Sequence, residues 1–408
     1  MSAGVACEGT ARHVRPAIVI PTYWVDDSAA PRMQGAYDHS TGLNSNDPEL
    51  ERCLASLEQV RNLPRVILLL VCPLSATDDA ERRVERIAAA HPGIHTTIVT
   101  NKEASRIAER VCQLAPHVSG DAVSLRGYGA IRNMGLAVAA ILGHDVVIFL
   151  DDDEVVTGSD FMKLALYGLN QETRQRLPII AKSGYFYDAS GSPLADTTKT
   201  GVCHRWWTKR IEFNRWMKRA LAGTRISRSN YACGGCMALS ARAFTRVAFD
   251  PYITRGEDLD YLFNLRLFGY DMWFDNQWHV RHLPPAIAER SGRFMQDVYR
   301  WFYERAKLAY AARQVEYNQV TPAQLMPYPG AWLSDQLDDR VRKTALVRAL
   351  FTREHRGYWH IYRHGRDEAQ RYARENAHRY LQLQSFWPAI MDGLWGDIHL
   401  AALLEHRA

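Results

Sequence analysis

The sequence predicts an α/β fold: a mixed, mainly parallel sheet flanked by helices, followed by a mostly helical C-terminal extension. Three observations predict it. Apolar runs of strand length, such as Val66–Cys72 and Asp145–Leu150, alternate with amphipathic segments of helix length. These runs are apolar at almost every position, the pattern of strands buried on both faces. Beyond about residue 290 strand signals stop, and Arg, Trp and Tyr become prominent in helix-like sequence. The 408 residues suffice for a large core. The expected division is a leader over 1–15, a main domain over 16–289 and an extension over 290–408.

Taken in order, Ala17–Ile20 reads as a short buried strand stopped by Pro21. Residues 24–46 are rich in Asp, Ser, Gly, Asn and Pro and predict a long loop. Asp47-Pro48-Glu49 predicts a helix start, with Asp47 as N-cap and Pro48 at the first helical position; Pro64 is expected to end that helix. Helices are expected over Thr77–Ala90, Lys102–Leu114, Ala130–Leu142 and Ser159–Leu169, and strands over His95–Thr100 and Ile179–Tyr187. A further helix opens at Glu257-Asp258 and stops at Gly269, and a strand over Tyr270–Asp275 leads into W-H-V-R-H-L-P-P.

Composition narrows the function classes. Hydrophobic residues at 47% and charged residues at 23% are ordinary for a globular chain, and a net charge of +5 is too mild to indicate nucleic acid. The longest apolar region, Met134–Leu150, is broken by Gly143-His144-Asp145, so no membrane span is expected. No basic region followed by an apolar run opens the chain, and no signal peptide is expected. Seven scattered cysteines suggest reduced thiols and a cytoplasmic setting.

The most informative stretch is D-V-V-I-F-L-D-D-D-E-V-V at Asp145–Val156. A buried strand delivers Asp151, Asp152, Asp153 and Glu154 to its carboxyl end, where parallel sheets bind ligands. Like charges this close raise one another's pKa, and a divalent cation relieves the conflict. Oxygen ligands suit Mn2+ or Mg2+, which use few carboxylates together with substrate phosphates. Alternation along a strand would aim Asp151 and Asp153 into one cleft. The competing reading is a solvated acidic turn with capping roles.

In this setting the sequence resembles the GT-A glycosyltransferases, especially those of family 2, over about residues 16–285. The resemblance rests on an ordered set: I-V-I-P-T-Y from 18, E-L-E-R-C-L-A-S-L from 49, R-N-M-G-L-A from 132, F-L-D-D-D-E from 149, C-G-G-C-M-A-L-S-A-R-A-F from 233, R-G-E-D-L-D from 255 and V-R-H-L-P-P from 280. It implies a Rossmann-like GT-A core and a DxD-type site at 151–153, with Asp153 and Asp151 on the metal and His282 on metal or diphosphate. It further implies a nucleotide-sugar donor held by Pro21, Thr22, Tyr23, Arg132, Asp151, Asp152, Gly234 and Gly235. In the inverting members it resembles, the aspartate of the Glu-Asp pair is the base, which implies Asp258 in that role and Glu257 orienting the acceptor. The residues alone also fit plain stabilisation of a helix N-terminus.

The chain departs from the family at Cys72-Pro73-Leu74-Ser75, where an acidic Asp-Asp-Gly-Ser element is usual; Asp78 or Asp79 would have to substitute. The Gln-x-x-Arg-Trp element of processive synthases is one residue out of spacing at Gln296 and Arg300-Trp301, which argues against a polymer-extruding synthase. Cys233-x-x-Cys236 with His279-x-x-His282 offers a rival zinc set, with 42 residues between the pairs.

Between 205 and 228, Arg205, Lys209, Arg210, Arg215, Lys218, Arg219, Arg225 and Arg228 stand against a single acid, Glu212. With Trp206, Trp207, Trp216 and Met217, this segment reads as a basic amphipathic helix. It fits peripheral contact with the inner face of a membrane, a lipid-linked or soluble anionic acceptor, or a solvated helix whose tryptophans pack on the core. The expected function is metal-dependent transfer of a sugar, a hexose by preference, from a nucleotide diphosphate sugar to a hydroxyl. The alternatives are a nucleotidyltransferase, which would release pyrophosphate, and a non-catalytic nucleotide-sugar-binding protein, indifferent to Asp258→Asn.

Overall fold

The computed structural model describes residues 14–24, 42–198, 201–284 and 291–405. Most of the leader over 1–15 and most of the loop expected over 24–46 lie outside the described residues. The first half comprises β1 (Pro16–Tyr23), α1 (Glu49–Leu57), β2 (Arg65–Val71), α2 (Thr77–Ala89), β3 (Thr96–Val99), α3 (Asn101–Leu114), α4 (Tyr128–Ile141) and β4 (Val146–Phe149). The second comprises β5 (Glu154–Val155), α5 (Phe161–Leu166), β6 (Ala181–Tyr187), α6 (Lys209–Leu221), β7 (Ile226–Arg228), β8 (Met237–Ser240), α7 (Ala241–Phe244), α8 (Glu257–Leu267) and β9 (Trp273–His282). Then follow α9 (Ser291–Ala311), α10 (Leu337–Phe351), α11 (His355–His360), α12 (Arg366–Asn376), α13 (Arg379–Leu394) and α14 (Ile398–Glu405).

The strands form one nine-stranded sheet in the order β3-β2-β1-β4-β8-β6-β9-β5, with β7 on β9. β3, β2, β1 and β4 are mutually parallel, as the alternation of strand and helix requires. From β8 onward the sheet is mixed. The continuous apolar runs are buried along almost their whole length, and α4 is buried at every position from Gly129 to Ile141.

Two boundary expectations are corrected. β1 does not stop at Pro21 but runs to Tyr23, with Pro21 opposite Leu69 of β2. The carbonyl of Val19 accepts Leu150 N on the β4 side; Pro21 has the same parity, and its missing N–H faces the edge that β4 has already left. α1 begins one residue late: Pro48 is extended at the cap position with no side-chain cap, so Asp47 is not the N-cap. The helix also ends at Leu57, well before Pro64. The strand expected over Tyr270–Asp275 instead begins at Trp273 and runs on through W-H-V-R-H as β9, whose far end carries His282.

The C-terminal helices share the sheet's core. Trp301, Trp332, Tyr380 and Trp387 are fully buried in the cluster that contains β1, β2 and β4. α13 closes the backbone around 244–250: Gln384 Oε1 accepts Ala248 N at 2.9 Å, Trp387 Nε1 donates to Phe244 O at 2.8 Å, and Tyr380 Oη donates to Ala248 O at 3.1 Å. Further on, Gly396 N donates to Ala140 O at 3.0 Å. No described helix is long and apolar enough to cross a membrane.

Candidate active site

Asp151, Asp152 and Asp153 sit in a turn between β4 and β5, not on a strand, so alternation does not orient them. Their direction comes from partners. β5 pairs with the end of β9, with Glu154 opposite His282, and Leu283 N donates to Asp153 O at 2.9 Å. This clip brings His282 Nε2 to 3.1 Å from Asp153 Oδ2. Burial works against the His282 imidazolium, but the bond to Asp153 and the charges of Asp153 and Asp151 outweigh it and raise its pKa. Asp152 and Asp153 are buried, and Asp151 is one-third exposed.

Arg132, from the first turns of α4, is the hinge of the arrangement. Its Nη2 donates to Asp151 Oδ1 at 2.7 Å and its Nε to Glu257 Oε1 at 3.3 Å. It therefore ties the acidic turn to the start of α8, although Arg132 and Glu257 are 125 positions apart in sequence. Burial would weaken the guanidinium, yet Asp151 and Glu257 raise its pKa instead. In this structure Arg132, expected at the donor, is held by these two carboxylates.

The two glycines predicted to lie against the donor have close neighbours. A Cβ at Gly235 would overlap the Glu154 carboxylate, and one at Gly234 would stand 2.8 Å from Arg132 Nη2 and 3.6 Å from Asp258 Cβ. Glu154 thus lies directly under the glycine turn. Burial, then the charges of Asp151 and Asp153, push its carboxyl well up. Thr22 is fully buried near the end of β1, with no hydrogen-bond partner for its hydroxyl among the described residues, beside buried Pro21 and half-buried Tyr23. Tyr23 is near enough to Arg132 to influence its charge.

Glu257 and Asp258 open α8 after Gly256, which is left-handed at φ +74°. Glu257 is buried, and its carboxyl is pushed up by burial against the opposing pull of Arg132. Asp258 is half-buried, and its Oδ1 accepts Leu259 N at 2.6 Å. A Cβ at Gly256 would overlap the Arg300 guanidinium of α9, whose Nη2 donates to Gly256 O at 3.2 Å.

The family model described as glycosyltransferase like family 2 matches residues 46–304, more than half of the chain. The chain belongs to this glycosyltransferase family. Its mixed sheet flanked by helices, with a helical C-terminal region, is the GT-A arrangement that the sequence leads one to expect. Among solved structures, the chain is similar to the mannosyltransferase PcManGT from Pyrobaculum calidifontis in complex with GDP-Man and Mn2+, at 14% identity and TM-score 0.44, over 94% of this chain and 88% of that one. It is similar to GalNAc-T7 with UDP, GalNAc and Mn2+ at 13% identity and TM-score 0.43, over 84% and 58% of the two chains. It is also similar to glucosyl-3-phosphoglycerate synthase from Mycobacterium tuberculosis in complex with Mn2+ and uridine-diphosphate-glucose, at 15% identity and TM-score 0.32, over 68% and 72%. Identities and scores this low bear on neither donor nor acceptor. No curated protein matches the chain.

For a family 2 glycosyltransferase the metal question can be put to the donor set. Among the described residues, no three His, Cys, Asp or Glu side chains stand together as a ready ligand set. A cation of the Mg2+ type completes its shell with water and substrate phosphates. The adjoining Asp153 and His282 supply oxygen and nitrogen donors, and the negative charge concentrated at 151–154 favours a cation. These residues fit a metal that a diphosphate would complete. The zinc alternative fits poorly. Among the described residues, Cys233, Cys236, His279 and His282 do not stand together as a ligand set. His279 contacts Thr157 and the rings of Tyr185 and Tyr187, and His282 is engaged with Asp153.

Two residues at the site have no role that the sequence alone assigns. Glu154 shows there only as the fourth acid of the run. Arg300 has the wrong spacing from Gln296 for the processive element, yet it lies against Gly256 and over the Trp301 ring at 4.7 Å. Asp78 and Asp79, the expected substitutes for the missing acidic element, lie in the first turn of α2, where Asp79 is bonded to Arg82 at 2.5 Å. In the basic segment, Trp216 and Met217 are buried, and Trp207 packs on Phe294 and Trp332. Trp207 and Trp216 therefore point inward, while Arg210, Arg215, Lys218 and Arg219 remain exposed.

Proposed function

We propose that the chain transfers a hexose from a nucleotide diphosphate sugar to an acceptor hydroxyl, with inversion and with Mn2+ or Mg2+ as cofactor. The observation that carries the reading is Arg132, which joins Asp151 of the acidic turn to Glu257 beside Asp258. The donor-side and acceptor-side residues, far apart in sequence, thereby form one site. Asp153 and His282 would hold the metal with Asp151 at its side, and the metal would neutralise charge on the departing diphosphate. Pro21, Thr22, Tyr23 and Asp152 form the nucleoside side of the pocket, and Gly234 and Gly235 let the sugar approach the backbone.

Asp258 acts as general base. The acceptor oxygen forms its bond to the anomeric carbon, its proton passes to the Asp258 carboxylate, and the bond from that carbon to the diphosphate oxygen breaks. Glu257, fixed by Arg132, orients the acceptor. We place the reaction in the cytoplasm, where the described thiols, all free, stay reduced. The division at residue 289 is one of labour: 16–289 holds donor and base, and 290–408 covers the acceptor side through Arg300 while sharing the core.

Calorimetry with UDP-, GDP-, ADP- and dTDP-sugars tests the reading. One sugar nucleotide should bind in the presence of Mn2+ and fail to bind Asp153→Ala. Asp258→Asn should keep donor affinity and lose about 10²–10⁴-fold in turnover. Full turnover by Asp258→Asn, or metal-independent binding, would refute it.

A further inference from the structure

One corner of the C-terminal extension leaves large apolar side chains in water. α10 ends on Leu350 and Phe351, 64% and 70% exposed, and Trp359 of α11 is 38% exposed. Arg342, Leu346 and Leu350 recur every four residues and share the outer face of α10, with Val347 and Phe351 on its flank. Arg348, on the inner side, joins the pieces. Its Nε donates to Cys203 O at 3.1 Å, and its guanidinium lies 5.7 Å from the Tyr358 ring. Val202, 57% exposed, and the start of α11 are thereby drawn to the same corner. Single apolar side chains on a surface need no explanation, but a group of them at one place marks an interaction surface.

The rings at this corner carry cations. Trp359 stacks on Tyr362 with centroids 5.4 Å apart, Arg363 lies over Trp359 at 4.8 Å, and Arg342 lies over Tyr362 at 5.4 Å. Arg353, in the turn after Phe351, and Arg356, in the first turn of α11, are exposed. The acids around the corner are engaged elsewhere. Asp338 pairs with Arg305 at 3.1 Å, Asp339 with Lys343 at 2.7 Å and Glu212 with Arg340 at 3.3 Å. Glu368 pairs with His360 at 3.2 Å and Asp367 with Arg366 at 2.9 Å, while Glu354 accepts Ser291 N at 2.5 Å. Among the described residues, none of these acids forms an ion pair with Arg353, Arg356 or Arg363.

We propose that this corner, where α10 turns into α11, docks the protein on an anionic phospholipid surface. Leu350 and Phe351 enter between the headgroups, and Trp359 with Tyr362 lies at headgroup level, where amphipathic rings settle. Arg353, Arg356 and Arg363 meet the lipid phosphates through charge-assisted bonds. The charge of the rim is complementary to such a surface, and the apolar side chains project from a helix end, a shape that sinks into lipid. A stable protein partner would instead need about 800 Å² of complementary surface on each side. None of the docking residues belongs to the candidate active site, so docking is independent of donor and acceptor chemistry.

The test is flotation of the full chain with vesicles of phosphatidylcholine alone, or of phosphatidylcholine and phosphatidylglycerol in equal parts, at low and high salt. Wild type is compared with the double variants Leu350→Ser/Phe351→Ser and Arg353→Ala/Arg356→Ala, and with Lys218→Ala/Arg219→Ala on the exposed basic side of α6. Each is first shown folded by circular dichroism. Wild type should float with the anionic vesicles, and high salt should weaken the binding. One arginine near an anionic surface is worth about fivefold in affinity, so both corner variants should lose at least about fivefold, and the α6 variant should match wild type. A smaller loss in either corner variant, or equal binding to neutral vesicles, overturns the proposal. So does folded wild type that ignores both vesicles. In that case, retention on polyglutamate would give the face to an acidic protein, and a concentration-dependent mass abolished by Leu350→Ser/Phe351→Ser would give it to a second copy of the chain.

Discussion

Lys307→Met removes a cation shared by two buried carboxylates. In α9 the Lys307 amine donates to Asp250 Oδ2 at 3.0 Å, to Asn264 Oδ1 at 2.9 Å and to Asp260, and Lys307, Asp250 and Asp260 are all fully buried. Asp260 and Asn264 lie in α8, so the cluster fixes the helix that carries Asp258. Breaking a buried pair by deleting one partner costs about 3–5 kcal/mol. An unfolding entropy of about 2.1 cal/mol/K per residue over 408 residues is about 0.86 kcal/mol/K, so Tm should fall by about 3.5–6 °C. The deficit should also depend on pH. Burial raises Asp250 to about 6 even with Lys307 opposing it, so its contribution to stability is full below the unfolded value of 3.8 and is lost as pH rises through 6. Without Lys307 the folded pKa climbs further, so the variant keeps its proton where wild type has lost it. Scanning calorimetry should therefore show a smaller deficit at pH 5.5 than at pH 7.5, and Asp250→Asn should recover part of it. A Tm loss under about 1 °C, or a deficit that grows on acidification, would refute the reasoning.

Two further outcomes can be checked directly. Gly235→Ala would drive a methyl into the Glu154 carboxylate; Mn2+-dependent donor affinity should fall at least tenfold with about 1–3 kcal/mol of stability, and unchanged calorimetry would count against the packing of this turn. Burial, reinforced by Arg65, lowers His144 to about 4 from an ordinary 6.5, so its contribution is present above 6.5 and lost as pH falls through 4. Its imidazole resonances should stay those of the neutral ring down to pH 5, and His144→Gln should flatten the acid limb of the stability curve.

The parallel half of the sheet is legible because each of its strands is an uninterrupted apolar run, and burial on both faces writes that pattern directly. The acidic turn and the Glu-Asp pair are legible because charge beside such runs has few structural explanations. Other features depend on contacts that spacing does not encode. Pro21 is tolerated because β4 ends first, which no local rule reveals. Asp47 loses the cap to Pro48 through one dihedral. Arg300 reaches Gly256 because α9 packs beside the start of α8, and a motif judged by its spacing alone conceals that. The tryptophans of 206–216 look outward or inward with equal ease in sequence; Phe294 and Trp332, far along the chain, decide the matter for Trp207.

The bonds from α13 to residues 244–250 have a consequence for how the molecule is made. Gln384 serves Ala248 across 136 residues and Trp387 serves Phe244 across 143. At about 5–20 residues per second, a ribosome that has finished 244–250 needs roughly 7–30 s more before their partners exist. Until then the backbone groups that α13 will cover must be hydrated, and the apolar surface under Trp387 is open to water or to a chaperone. The parallel half of the sheet can assemble from its own local pairings during that interval. The segment leading from β8 to Asp258 cannot reach its final state before the last helices arrive, so the start of α8 is fixed only after synthesis has passed them.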